Sequence, residues 1–243
     1  MTATVGVMFI ELVGHVRAVC VGSVAALSLG RRSIETAFVK TPVEGSLRVG
    51  ELGFPGDEHV YEDHGGPDMA ALVYPFEHYS YWRERGLDLP AAGAFGENLT
   101  VTGLVETDVH LGDVFEVGRS VVQVAQPRAP CYKIGARFGD RRLPVTAQNE
   151  GLIGYLLRVL VEGDVGAGDS MRLIDRGSHG VTVAEAGRVA NVDRNDLEAA
   201  ARVLAVDALG SSTRRKLTAR VASQVEAGLD VDRLFVPEDR PPS

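Results

Sequence analysis

The feature that most limits what this chain can fold into is a change of period near Arg176. Before that point glycine and proline cut the sequence into short runs rich in β-branched residues, the pattern of strands rather than helices. His15 to Val21 is such a run and stops at Gly22, Ile34 to Lys40 stops before Pro42, and Ser46 to Val49 stops at Gly50. Val109 to Leu111 leads through Gly112-Asp113 into Val114 to Val117, and Gly118-Arg119 turns the chain into Val121 to Val124. Runs spaced in this way predict a curled antiparallel sheet or barrel. One helix is predicted inside it, from Pro75 to Arg85, with proline in its first turn and Tyr74, His78, Tyr81 and Trp82 at helical spacing. That aromatic stripe reads as core packing in preference to a cofactor box.

After Arg176 the period becomes helical. Thr182-Val183-Ala184-Glu185 is a capping box that opens a helix running to about Ala190. Asp193 to Asn195 can cap a second helix, Asp196 to Ala205, and Ser211 or Ser212 starts a third with Leu217, Val221 and Val225 on one side. Three short amphipathic helices must cover their apolar sides with one another or with the sheet. The expected fold class is therefore mainly β, a barrel-like domain with a few helices, followed by a small three-helix α domain. The expected division is an N-terminal extension (1–14), a β-rich domain (15–176), a helical domain (177–230) and a disordered, proline-bearing tail (231–243).

The formal charge of -8 argues against general affinity for nucleic acid or an anionic membrane, both of which need a concentrated positive face. The two cysteines, Cys20 and Cys131, lie far apart and in no metal-ligand spacing, which fits a reducing, cytoplasmic setting without a disulfide framework. The apolar stretch at Val5 to Ile10 has no basic region before it and is interrupted by Glu11, so it does not read as a signal peptide. No run approaches the length of a membrane span.

Cys131 is the first candidate for chemistry. It follows a strong strand in Gln126-Pro127-Arg128-Ala129-Pro130-Cys131-Tyr132-Lys133. The prolines stiffen the loop, and Arg128 and Lys133 favour a thiolate suited to nucleophilic attack or to a soft metal. A lone cysteine is equally a small buried hydrophobe, and its neighbours leave both readings open. Cys20, alternating with Val19 and Val21, reads as core. In Gly96-Glu97-Asn98, the glycine permits close approach of a ligand and Asn98 can donate and accept, although a polar turn explains the segment as well. His64 stands before Gly65-Gly66-Pro67, where a structural histidine is the commoner case. Arg158 lies in the apolar run Gly154 to Leu160 and needs a partner, either a phosphate or a buried carboxylate.

Taken in order, several segments resemble the MOSC family, the molybdenum cofactor sulfurase C-terminal domain, in its stand-alone, YiiM-like branch. They are Lys40-Thr41-Pro42-Val43, Gly56-Asp57, His64-Gly65-Gly66-Pro67-Asp68, Tyr74-Pro75 to Trp82, Gly93 to Thr100, Gly112-Asp113, Gln126-Pro127-Arg128 with Pro130-Cys131, and Gly154 to Gly163. His179 to Ala186 resembles the start of the "3-alpha" domain of that branch. The resemblance implies a barrel that holds molybdopterin, with Cys131 as sulfur ligand to molybdenum. It implies reduction of N-hydroxylated compounds such as hydroxylaminopurine-type bases, with electrons from a flavin or iron–sulfur partner protein. In that reading Arg128, Lys133 and Arg158 neutralise the cofactor, and Asn98 hydrogen-bonds pterin or substrate. Glu97 orients its loop or relays a proton, and His64 donates a proton at the rim. The chain departs from the family at Met69, where a lysine is usual, at Leu156, where an aromatic is usual, and in a shortened stretch before His64. These departures favour the rival reading, a non-catalytic cofactor-binding or carrier protein, or a degenerate member.

Overall fold

The computed structural model of the chain describes residues 12–60 and 65–223. The strands in chain order are β1 (Val13–Val21), β2 (Ala25–Leu29), β3 (Arg32–Thr36), β4 (Thr41–Pro42), β5 (Ser46–Val49) and β6 (Ala71–Pro75). They continue with β7 (Leu99–Thr102), β8 (Val114–Val117), β9 (Ser120–Pro127), β10 (Tyr155–Val161), β11 (Gly163–Gly166) and β12 (Ser170–Asp175). The helices are α1 (His78–Glu84), α2 (Tyr132–Phe138), α3 (Leu143–Asn149), α4 (Val183–Asn191), α5 (Leu197–Leu204) and α6 (Ser211–Ser223). None of the described helices is long and apolar enough to cross a membrane.

Seven strands run in the order β12-β8-β9-β10-β6-β7-β1, and β12 pairs back onto β1 to close a barrel. Closure leaves no long unpaired edge among these strands. The barrel is not wholly antiparallel as expected: β6 and β7 pair in parallel, because α1 carries the chain across between them. Two ribbons lie outside the barrel sheet, β2 with β3 and β5 with β11.

Alternating inward residues of the barrel build the core. Val16, Val73, Val101, Phe115, Val124 and Leu157 are all buried in one cluster. That cluster runs without a break into the helical segment through Val189, Val203 and Leu217, so the apolar sides of the three helices are covered by the barrel. Each such side chain contributes about 1.5–3 kcal/mol when taken from water. Val225 lies outside the described residues.

Several local expectations hold and some need correction. The Thr182 hydroxyl accepts from Glu185 N at 3.0 Å and caps α4 as expected, whereas α5 is capped not from Asp193 to Asn195 but by Asp196, whose carboxylate accepts from Ala199 N at 2.9 Å. At their far ends, Arg220 donates to the carbonyls of Val189 and Ala190, and Arg214 to those of Leu204 and Val206. The helix expected from Pro75 starts only at His78, because Pro75 is the last residue of β6, in register with Val101. The strand expected to reach Lys40 ends at Thr36, after which Phe38 turns inward to an aromatic cluster. Val109 to Leu111 pairs with the linker to the helices instead of extending β8: Leu111 N donates to Val181 O and Val183 N to Val109 O. The short helices α2 and α3 were not expected at all.

Of the aromatic stripe, Tyr74 and Trp82 are core, whereas His78 and Tyr81 are only partly buried. Tyr74, Tyr79, Trp82 and Phe95 are fully buried, Tyr74 stacks on Phe95 at 4.5 Å, and Trp82 Nε1 donates to Tyr74 Oη at 2.8 Å. This cluster supports the loop that carries Glu97 and Asn98.

Candidate functional site

β9 ends at Pro127, and the chain then passes through Arg128 and Pro130 to Cys131, the N-cap of α2. Arg128 N donates to Gly154 O at 3.1 Å, which fixes this connection to the start of β10. Cys131 is half-buried, its side chain makes no capping bond, and it lines a cavity of about 510 Å³. Cys20 is different: it is fully buried in β1, and burial pushes its thiol up to about 12. The expected contrast between a core cysteine and one open to a ligand is therefore present in the fold.

Arg128 and Lys133 face the same cavity, each only 7% exposed. The Arg128 guanidinium donates to Phe95 O at 2.7 Å and lies 5.9 Å from the Phe38 ring centroid. Among the described residues it has no carboxylate partner. Burial holds both cations below their ordinary values, and negative charge at Cys131 works the other way. A buried guanidinium in this state favours an anion beside it.

Glu97 and Asn98 organise the cavity wall in different ways. Glu97 is fully buried and is absent from the cavity lining. It accepts from Tyr79 Oη at 2.5 Å, Gly93 N at 2.9 Å, Phe95 N at 2.8 Å and Thr100 Oγ1 at 2.9 Å. These bonds fit the orienting role and give it no path to a ligand as a proton relay. Asn98 does line the cavity. Its oxygen accepts from Leu72 N, and its amide donates to Cys20 O at 3.2 Å and to Asp57 at 2.8 Å. Both donors are thus committed to the protein, and what they present to the cavity is Asp57. Asp57 in turn accepts from Gly22 N and pairs with the buried ammonium of Lys40.

Arg158 takes the carboxylate option. Its Nε and Nη2 donate to Asp68 at 3.0 and 2.5 Å, its Nη1 donates to Gln123, and it is absent from the cavity lining. The expected phosphate contact is corrected accordingly: Asp68 already neutralises this cation. His64 lies outside the described residues; His59 lines the cavity. Met69 and Leu156, two of the departures noted in the sequence, line it as well.

Sequence reasoning gave no role to Lys40, Asp57, Ser212 or Thr213, all of which line the cavity. Lys40 and Asp57 stood in short segments marked by Pro42 and Gly56, and only the fold pairs them. Among the described residues no three His, Cys, Asp or Glu side chains are grouped to hold a metal ion.

The MOSC domain family matches residues 60–172, and the YiiM-like, 3-alpha helix domain matches residues 181–224. Protein YiiM of Escherichia coli (strain K12) is 39% identical over 210 residues, covering 84% of this chain and 92% of that protein. The crystal structure of YiiM from Geobacillus stearothermophilus superposes with a TM-score of 0.73 at 33% identity, covering 86% of this chain and 99% of that one. A protein of Gibberella moniliformis (strain M3125 / FGSC 7600) named "Reductase" is 35% identical over 147 residues, 59% of this chain but 26% of its own length.

Proposed function

Because the chain belongs to the MOSC domain family and carries the YiiM-like 3-alpha helix domain, we propose that it binds the molybdenum cofactor and reduces N-hydroxylated compounds, hydroxylaminopurine-type bases among them. The observation that carries this reading is the meeting, on one cavity of about 510 Å³, of a half-buried thiol, Cys131, and a nine-tenths-buried guanidinium, Arg128, that has no carboxylate partner among the described residues. The family takes its name from molybdenum cofactor sulfurase, and the partial relative named as a reductase supports redox chemistry. The residues fit the group: Cys131 offers one soft sulfur donor, and Arg128 and Lys133 offer positive charge to an anionic pterin phosphate.

When bound, the cofactor supplies two-electron chemistry coupled to oxygen transfer. The net change is reduction of R–NHOH to R–NH2 and water, which takes two electrons and two protons. No cysteine cluster is present in the sequence, so the electrons come from a flavin or iron–sulfur partner protein. Glu97 holds the loop 93–100 in shape through its buried bonds, and Asn98 holds Asp57 and, through it, Lys40 at the cavity wall. Lys40 and Asp57 reach the cavity as an ion pair, a polar contact for a bound ligand. The domain division that accompanies this reading is a cofactor-binding domain at 15–176 and a helical domain at 177–230. The two free thiols fit a cytoplasmic setting.

Metal analysis of protein made in a molybdenum-replete host tests the proposal. Near-stoichiometric molybdenum that disappears in Cys131→Ser supports it, and absence of molybdenum from both proteins refutes it. One observation favours a second reading, a cofactor carrier without turnover: Met69 and Leu156 place apolar side chains on the cavity. Molybdenum bound without any reduction of 6-hydroxylaminopurine in the presence of a chemical electron donor would establish that reading instead.

A further inference from the structure

We infer that the helical segment forms one wall of the ligand site, with Ser212 as the contact that selects the substrate through an acceptor edge of its ring. The inference rests on the reading of the cavity as the ligand site. The start of α6, with Gly210 just before it, is fastened by four hydrogen bonds to β9 and to the 67–69 segment that precedes β6. Gly210 N donates to Ala125 O at 2.8 Å, Ser211 N donates to Asp68 Oδ2 at 2.8 Å, and Thr213 donates to Gln126 Oε1 from its amide at 3.1 Å and its hydroxyl at 3.0 Å.

Two of the three accepting residues are themselves held by the barrel. Asp68 is clamped by Arg158 of β10, and Gln126 is the strand residue before Pro127-Arg128. A Cβ at Gly210 would lie 2.7 Å from Gln126 Oε1, so a larger residue there would displace the side chain that accepts from Thr213. Ser212 sits between the fastened residues and lines the cavity. Its amide and hydroxyl have no hydrogen-bond partner among the described residues, whereas the amides on either side do. The amide is one of the early N–H groups that an α-helix cannot satisfy internally, and it lies at the positive end of a 13-residue helix.

The same cavity carries Arg128, a buried cation without a carboxylate among the described residues, so a ligand bound by the barrel through its anionic part meets α6 with another part. A planar N-hydroxylated base has ring nitrogens that accept but carry no charge. A helix-terminal N–H beside a hydroxyl suits such an edge, because it donates without demanding a counter-ion. The helical segment is then a component of the site, and a barrel shorn of it lacks one set of substrate contacts.

The test is titration calorimetry of 6-hydroxylaminopurine into the full-length, molybdenum-replete protein, for wild type, Ser212→Ala and Ser212→Trp. Molybdenum content and thermal midpoint are measured on the same samples. The alanine variant is expected to bind about threefold more weakly through loss of one hydroxyl contact. The tryptophan variant is expected to bind about tenfold or more weakly by filling the cavity. Molybdenum content should match wild type in both. Hydrogen exchange on the wild type gives a second readout that needs no variant: the probe should protect the amides of residues 209–216. Equal affinity in Ser212→Trp, or binding by wild type without protection of that segment, overturns the inference and leaves the proposed function standing. Failure of wild type to bind the probe overturns both.

Discussion

The side-chain amide of Asn98 donates to the carboxylate of Asp57 at 2.8 Å, and Asp57 in turn holds the ammonium of Lys40. This chain of contacts ties the loop before β7, the segment after Gly56 and the entry to β4 into one wall of the cavity. The wall is rigid for a definable reason: Asn98 also accepts from Leu72 N and donates to Cys20 O, two backbone groups of barrel strands.

Asn98→Ala should therefore cost stability as well as function. It leaves Leu72 N and Cys20 O without their partner in the core, and each buried unpaired group costs about 1–3 kcal/mol. Urea denaturation should show a lower midpoint with an unchanged slope. A midpoint equal to wild type would mean that water replaces the amide.

Glu97→Gln swaps a buried acceptor for a donor that faces either Phe95 N or the cluster of Tyr79 Oη, Gly93 N and Thr100 Oγ1. The expected loss is about 1–3 kcal/mol, read by the same denaturation. Molybdenum retention should fall with it, since the loop shapes the cavity. A stable variant that keeps its metal would show that Glu97 does not control the loop.

Cys131→Ser should do the reverse. The thiol makes no capping bond and is only half-buried, so the fold should lose less than about 1 kcal/mol, as at other surface positions. Bound molybdenum should nevertheless be lost. A thermal midpoint that falls in the cofactor-free protein as well would reassign Cys131 to structure.

Arg128→Gln separates stability from function at a single residue. Burial disfavours the charged guanidinium, and no described carboxylate offsets that cost, so the cofactor-free variant should be as stable as wild type or more stable by about 1–2 kcal/mol. Cofactor retention should drop. Thermal denaturation of the cofactor-free proteins checks the first expectation, and molybdenum analysis checks the second.

Asp68 gives a pH dependence with a definite sign. Burial raises its carboxyl, but hydrogen bonds from Ser211 N and from Arg158 outweigh burial and hold it below its ordinary value of 3.8. A depressed carboxyl stabilises above its unfolded value and loses that contribution as pH falls through its folded value. The contact between barrel and α6 should thus hold at neutral pH and weaken below about pH 4. The protection factor of the Ser211 amide, the exchange rate corrected for its intrinsic pH dependence, should fall on acidification in wild type, and Asp68→Asn should remove most of that change.

Much of the fold could be read before any coordinates because its signals are local. Glycine and proline punctuate the strands, β-branched residues fill them, and Thr182 announces α4 by a side-chain cap that acts over three residues, whereas the cap of α5 falls at Asp196, just past the expected Asp193 to Asn195. The helices α2 and α3 escaped notice because each has only seven residues, too few for a period to emerge. The parallel pairing of β6 with β7 was equally hidden, since it depends on where α1 returns the chain.

The candidate site divides in the same way. The loop that carries Cys131, Arg128 and Lys133 is a continuous stretch, so sequence alone brought its thiol and its cations together. Arg158 showed only that it needed an anion; that the anion is Asp68, 90 residues away, was decided by β10 packing beside residues 67–69. Likewise no local pattern links Ser212 to Cys131, or Lys40 to Asp57. Residue type and short-range spacing determined which groups could do chemistry, because propensities, caps and adjacent charges act within a few residues. Closure of the barrel and the docking of α6 decided which of those groups share a cavity, because long-range contacts come from burying apolar surface over the whole chain.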